Sequence, residues 1–117
     1  MIVVDDSARK RIFAALSDDY SRSILCAVMR GKKTAIELSI ECEIPIATVY
    51  RRLEELLQAD LIVRLRPERS NDGKWSEHYG SLIKSINVSL ENGSEKIIVT
   101  PGRLDDETLT KQASSAK

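Results

Sequence analysis

The sequence predicts an α+β fold, with a helical body in its first half and β-hairpins in its second. Two patterns carry that reading. Between residues 6 and 58, apolar residues recur three, four and seven apart, the period of a single helix face. From residue 61 onward they alternate with polar ones, the period of a strand, and Asn92-Gly93 separates two such runs. The 117 residues are one domain's worth, enough for a modest core.

Composition narrows the class. With 42% hydrophobic and 31% charged residues, the chain is not of the disordered type. No apolar run approaches the ~20 residues that span a bilayer, and Ile2-Val3-Val4 is too short for a signal-peptide core. No membrane and a cytoplasmic location are therefore expected. Cys26 and Cys42 read as reduced, small core residues. Lys and Arg number 18 against 18 Asp and Glu, which counts against an indiscriminate nucleic-acid binder. A sequence-reading protein remains open, provided its bases cluster on one face.

The elements follow in order. Residues 1–6 read as an extended lead-in. Asp6 or Ser7 can cap a first helix whose apolar face is Ala8, Ile12, Ala15 and Leu16, with Phe13 beside it. Arg9, Lys10 and Arg11 fall on its outer side, either as a solvated face or as a phosphate or dimer contact. Ser17 can cap a second helix, with Asp18 and Asp19 in the first turn and Tyr20, Ile24, Leu25 and Val28 facing inward. Arg30 and Gly31 form its C-terminal ending.

Thr34 and Glu37 have the spacing of a capping box, in which each side chain bonds the other's backbone N–H. A third helix starts there, with Ala35, Leu38 and Cys42 on a narrow apolar face. It stops near Cys42–Glu43, because Pro45 pushes Ile44 out of the α region. The fourth helix, about residues 45–59, carries a strong stripe of Ile46, Val49, Leu53, Leu56 and Leu57. Ala47, Arg51, Glu54 and Gln58 point away from it, with Thr48, Arg52 and Glu55 on one flank and Tyr50 on the other.

Leu61 to Arg66 then reads as a half-buried strand, Leu61, Val63 and Leu65 to one side and Ile62 and Arg64 to the other. Pro67 to Trp75 is a turn-rich loop, and Ser76 to Leu82 returns as a second strand. Arg64, Arg66, Arg69 and Lys74 give this hairpin four bases against Glu68 and Asp72. They suit phosphate or minor-groove contacts, or else they keep an edge strand from pairing.

Glu37-Leu38-Ser39, Ile44-Pro45 and Ala47 through Leu56 together resemble the helix-turn-helix of winged-helix regulators of the ArsR-like, archaeal-type group. Asp60-Leu61-Ile62 resembles their junction between helix and first wing strand. The likeness runs over about residues 12–83, and it implies a winged helix-turn-helix with a short bridge strand before Thr34. One departure is Glu43, where this motif often has glycine; a left-handed residue there costs on the order of 1 kcal/mol. The resemblance also implies that the first helix helps build a dimer.

A second hairpin follows. Ile86, Val88 and Leu90 alternate with polar residues, and counting across Asn92-Gly93 sets Val88 against Ile97 and Ile86 against Val99. A minimal winged helix does not need this hairpin, and an isolated one is marginal in water. Its apolar face therefore covers the first helix or a second subunit, with dimerisation favoured. The organisation expected is a winged-helix domain over 1–83, a hairpin extension over 84–101 and a flexible tail over 102–117.

No phosphate-cradling glycine loop or nucleophile elbow occurs, and His78 is the single histidine, so neither an enzyme nor a cofactor is expected. His78 reads as wing packing. The expected function is sequence-specific DNA binding in transcription, with the fourth helix in the major groove and the wing, about 61–82, alongside. Arg51 would read guanine, and Ile46 and Ala47 a thymine methyl. Thr34, Thr48, Tyr50 and Arg52, with the wing bases Arg64, Arg66, Arg69 and Lys74, would meet phosphates or the minor groove. A homodimer would read a roughly palindromic duplex site. The alternative is a winged helix that binds protein within transcription or chromosome machinery, to which Glu54 and Glu55 point.

Overall fold

The computed structural model describes residues 5–102; the lead-in before Asp5 and the expected tail beyond Gly102 lie outside them. Helix α1 spans Asp6–Ser17 and starts one residue earlier than expected, because the Asp5 carboxylate accepts the Ala8 N–H at 2.7 Å. Helix α2 spans Asp19–Arg30, and its cap is Asp18 rather than Ser17. Asp18 accepts from the Ser21 N–H at 2.8 Å, while the Ser17 hydroxyl donates back to the Ala14 carbonyl. Starting α2 there gives the inward stripe Ser21, Ile24, Leu25 and Val28. Tyr20, one residue off that stripe, stays 42% exposed instead of joining the core.

Strand β1 (Lys33–Thr34) leads into α3 (Ala35–Cys42), and both hydrogen bonds of the capping box are present. Thr34 Oγ1 accepts from Glu37 N at 3.1 Å, and Thr34 N donates to Glu37 Oε1 at 2.9 Å. Glu43 takes the left-handed conformation (φ 57°, ψ 52°) that glycine would take more readily. Two bonds hold the turn in compensation: Ile44 N donates to the Ser39 carbonyl, and Ser39 Oγ donates to the Ile44 carbonyl at 2.6 Å. Ile44 is thereby driven into the core.

Helix α4 (Ile46–Gln58) buries Val49, Leu53, Leu56 and Leu57, but its first stripe residue does not follow. Ile46 sits in the opening turn, beyond the cover of α2 and α3, and is 41% exposed. Helix α4 ends at Ala59, and Asp60, with φ 58°, turns the chain into β2 (Ile62–Arg64).

The expected half-buried strand is covered on both sides. Leu61, Ile62, Val63 and Leu65 are all buried. Leu61 and Ile62 join the helical core, while Leu65 lies over Gly80, where an added Cβ would come within 3.1 Å of it. Instead of one loop, residues 67–77 hold a second small hairpin. Strand β3 (Glu68–Arg69) pairs with β4 (Trp75–Ser76), and β5 (His78–Ser81) then completes a three-stranded antiparallel sheet in the order β1-β5-β2.

Strands β6 (Ile83–Glu91) and β7 (Ser94–Pro101) form a separate ribbon in the expected register, with Val88 opposite Ile97 and Ile86 opposite Val99. Asn92 (φ 53°) and Gly93 (φ 79°) supply the two left-handed residues that a type I′ turn needs. Ile83 and Val99 complete the core at the ribbon's root, with Ile86 and Ile97 packed against it. Arg9 of α1 reaches Glu95 at 3.9 Å. Among the described residues no helix is long and apolar enough to cross a membrane.

Candidate nucleic-acid interface

Helix α4 sets out its side chains by a plain division of labour. Its inner side is sealed, so Ala47, Tyr50, Arg51 and Glu54 are left outside. Arg51 is exposed and has no ion pair among the described residues. Tyr50 is 54% exposed one turn beyond Ile46, and Thr48 is half-buried on the flank. The first two turns of α4 thus present Ile46, Ala47, Tyr50 and Arg51 together, a small and partly apolar surface ending in a guanidinium.

Arg52 does something else. Its Nε and Nη2 donate to the two carboxylate oxygens of Asp18 at 2.9 and 3.2 Å, and Nη1 lies 3.7 Å from Glu55 Oε1. Asp18 caps α2 at the same time, so Arg52 clamps α4 onto the start of α2. The Arg52 guanidinium and the Ser21 N–H hold the Asp18 carboxyl below its ordinary value, and the Asp18 bonds push Arg52 upward. These bonds use two of the guanidinium's five N–H donors, so Arg52, expected as a backbone contact, also serves as a clamp between α4 and α2.

The wing bases also divide. Arg64 lies between Glu54 (3.2 Å) and Glu77 (3.9 Å), bracing α4 against the sheet. Arg69 stacks over the Trp75 ring directly opposite it, 5.7 Å from the centroid, and donates to the Gly73 carbonyl at 3.3 Å. Arg66 and Lys74 are exposed and have no carboxylate partner among the described residues. Besides Glu77, the wing's acids are engaged as well: Glu68 pairs with Lys32, and Asp72 accepts from the Ser70 hydroxyl and the Lys74 N–H. These bonds hold both carboxyls below the usual range, so both remain ionised. Thr34 is half-buried, its oxygen committed to the α3 cap while its hydroxyl proton stays free to donate.

Trp75 is the residue that reading the sequence missed. It is 66% exposed at the base of the wing tip. Its signal was available: the chain's one tryptophan closes a polar, basic, turn-rich segment.

The other chemistry-bearing residues stand apart from this surface. His78 is mostly buried with Nδ1 unpartnered and Nε2 3.9 Å from Glu68 Oε1. Cys26 and Cys42 border a shallow cleft of about 560 Å³ between α2 and α3. Cys26 is exposed rather than in the core. Cys42 Sγ lies 3.7 Å from the Ser23 carbonyl, and burial pushes its thiol pKa up. The described residues contain no group of three or more His, Cys, Asp or Glu placed to hold a metal ion.

No family model matches the sequence, and no curated protein sequence matches it. Among solved structures, the chain is similar to the crystal structure of an ArsR family transcriptional regulator. The two share 18% identity at a TM-score of 0.51, over 68% of this chain and 76% of the other. That likeness, with the order of helices, bridge strand and wing, makes the fold a winged helix-turn-helix carrying an additional C-terminal β-hairpin.

Proposed function

We propose that the protein is a DNA-binding transcription regulator that places α4 in the major groove and the wing over the adjacent backbone or minor groove. One observation carries the reading. Arg51 projects, without an ion pair among the described residues, from a helix whose opposite side is sealed into the core, next to the small first turn of Ile46 and Ala47. A guanidinium so placed suits the two acceptors of guanine, and its apolar neighbours suit a thymine methyl. Thr34, Thr48 and Tyr50 flank that surface as phosphate contacts, and Arg66, Arg69 and Lys74 extend it along the wing. Such a regulator would work in the cytoplasm, where it can reach the chromosome.

The test is an anisotropy titration against labelled genomic fragments at two salt concentrations. A regulator loses affinity steeply as salt rises and prefers some fragments over others. Binding unaffected by salt, or absent, would refute it.

A homodimer is part of the proposal. Val88 (40% exposed) and Leu90 (76%) continue the ribbon's apolar face beyond the body, and a second copy could cover them. Light scattering should then show a dimer that the Val88→Ser, Leu90→Ser double variant weakens.

A second reading, binding to a protein partner, rests on α3, where Ile36 (63% exposed) and Ile40 (73%) stand one turn apart on the outer side. The acids that favoured this reading weigh less, because Glu54 pairs with Arg64 and Glu55 with Arg52. It predicts no salt-dependent binding to any duplex.

A further inference from the structure

Trp75 is a large apolar side chain left two-thirds exposed on the wing, where Arg66 and Lys74 have no carboxylate partner among the described residues. Arg69 lies over one side of the ring, and about two-thirds of the residue stays open to solvent. Arg69 is itself anchored by the Gly73 carbonyl, and the tip is closed by Ser70 N to the Lys74 carbonyl (2.8 Å) and Gly73 N to the Ser70 carbonyl (2.9 Å). The indole is therefore displayed on a braced hairpin. Lys74 precedes it in the chain, Arg66 opens the same segment, both exposed, and Lys32 neutralises Glu68 on the hairpin. Asp72 is turned into the tip by Ser70 and Lys74 N–H, and Glu77, just past the hairpin, lies 3.9 Å from Arg64.

An open aromatic face backed by a guanidinium and bordered by free cations matches one ligand well. A nucleotide has a flat π-surface for the ring and a phosphate for the bases around it. Every stacked base in an undisturbed duplex already has two neighbours, so the indole can gain a face only where a base leaves the stack. Apolar side chains that enter the minor groove unstack such steps where the duplex is deformable.

We propose that Trp75 is a DNA-contacting residue of the wing, stacking on a base displaced from the duplex and so favouring deformable or interrupted sites. The proposal rests on the DNA-binding reading above and adds a preference to it.

Because Trp75 is the only tryptophan, its emission reports on this contact alone. The experiment compares two fluorescein-labelled duplexes at low salt, one fully paired and one with a single-base bulge. Anisotropy gives binding, and tryptophan emission on unlabelled copies of the same duplexes gives the contact. Expected are binding to both, tighter binding to the bulged duplex, and quenched emission on it. Trp75→Ala should lose affinity for the bulged duplex by about tenfold, the lower part of the range for one base–aromatic stack, and for the paired one by less than about twofold. Trp75→Phe should restore most of the preference, and a far-ultraviolet dichroism spectrum like the parent's confirms that each variant is folded.

Binding to both duplexes with unchanged emission and an indifferent Trp75→Ala would overturn the stacking contact while leaving DNA binding intact. An emission shift that grows with protein concentration, without DNA, would assign the indole to a second copy and likewise overturn it. Absence of binding to either duplex would remove the DNA-binding reading, and the contact with it.

Discussion

Helix α4 and the β6–β7 ribbon share a plan, one apolar side and one polar side, yet only one of them is closed. In α4, Val49, Leu53 and Leu56 are no more than 1% exposed. Along the ribbon the apolar side is sealed at Ile83 and Val99, then opens to 40% at Val88 and 76% at Leu90. Length explains much of the difference. Nine residues of strand extend about 30 Å, whereas the twelve-residue α1, which touches the ribbon through Arg9 and Glu95, covers about 18 Å. Amphipathic patterning says that a face exists; it does not say whether the same chain is long enough to cover it.

Breaking the closed element should cost most. Leu53→Ala removes a fully buried side chain at the centre of α4 and should lower unfolding stability by about 2–5 kcal/mol, read from urea denaturation. Next comes the outer face of the same helix. Arg51→Ala should leave stability unchanged and cost about 1–3 kcal/mol of DNA affinity, with relaxed choice at one base pair. Arg66→Ala should instead weaken binding to all duplexes alike and flatten the salt dependence.

The clamp between α4 and α2 is a smaller and pH-dependent contribution. Arg52→Ala should cost about 1 kcal/mol of stability, since both side chains are partly screened by solvent. Asp18 is held below its ordinary value of 3.8, so its contribution is complete above that value. It is lost as pH falls through the depressed native value, and acid denaturation of Arg52→Ala should lack that component. Smallest of all is Leu90→Ser, expected to change monomer stability by less than about 0.5 kcal/mol because the side chain is already in water. A large loss there at dilute concentration would show that the ribbon is closed after all.

Much of the architecture was legible because several local signals agreed. The Thr34–Glu37 box, Pro45 and the stripe from Val49 to Leu57 pointed to one pair of helices, and Asn92-Gly93 agreed with the alternation on either side of it. Where signals competed, the expectation slipped. Asp18 displaced Ser17 as a cap because its carboxylate serves Ser21 and Arg52 at once, a tertiary contact that no window of sequence contains. The candidate interface was less legible for the same reason. Arg51 and Arg52 look alike in the sequence, and only the position of Asp18 separates the free guanidinium from the bonded one. Arg64 and Arg66 differ likewise through Glu54 and Glu77. Trp75 was passed over because Pro67 to Trp75 read as one turn-rich loop and not as the β3–β4 hairpin that displays its side chains.

Thr34 holds two posts. In β1 it pairs with His78 of β5, the strand that returns from the wing, and its side chain caps α3. The wing's root and the first helix of the helix-turn-helix therefore meet at one residue, without a hinge between them. A push on the wing must travel into α3 rather than be absorbed. Wing and α3 would thus move as a single stiff tool, whose spacing is set when the chain folds.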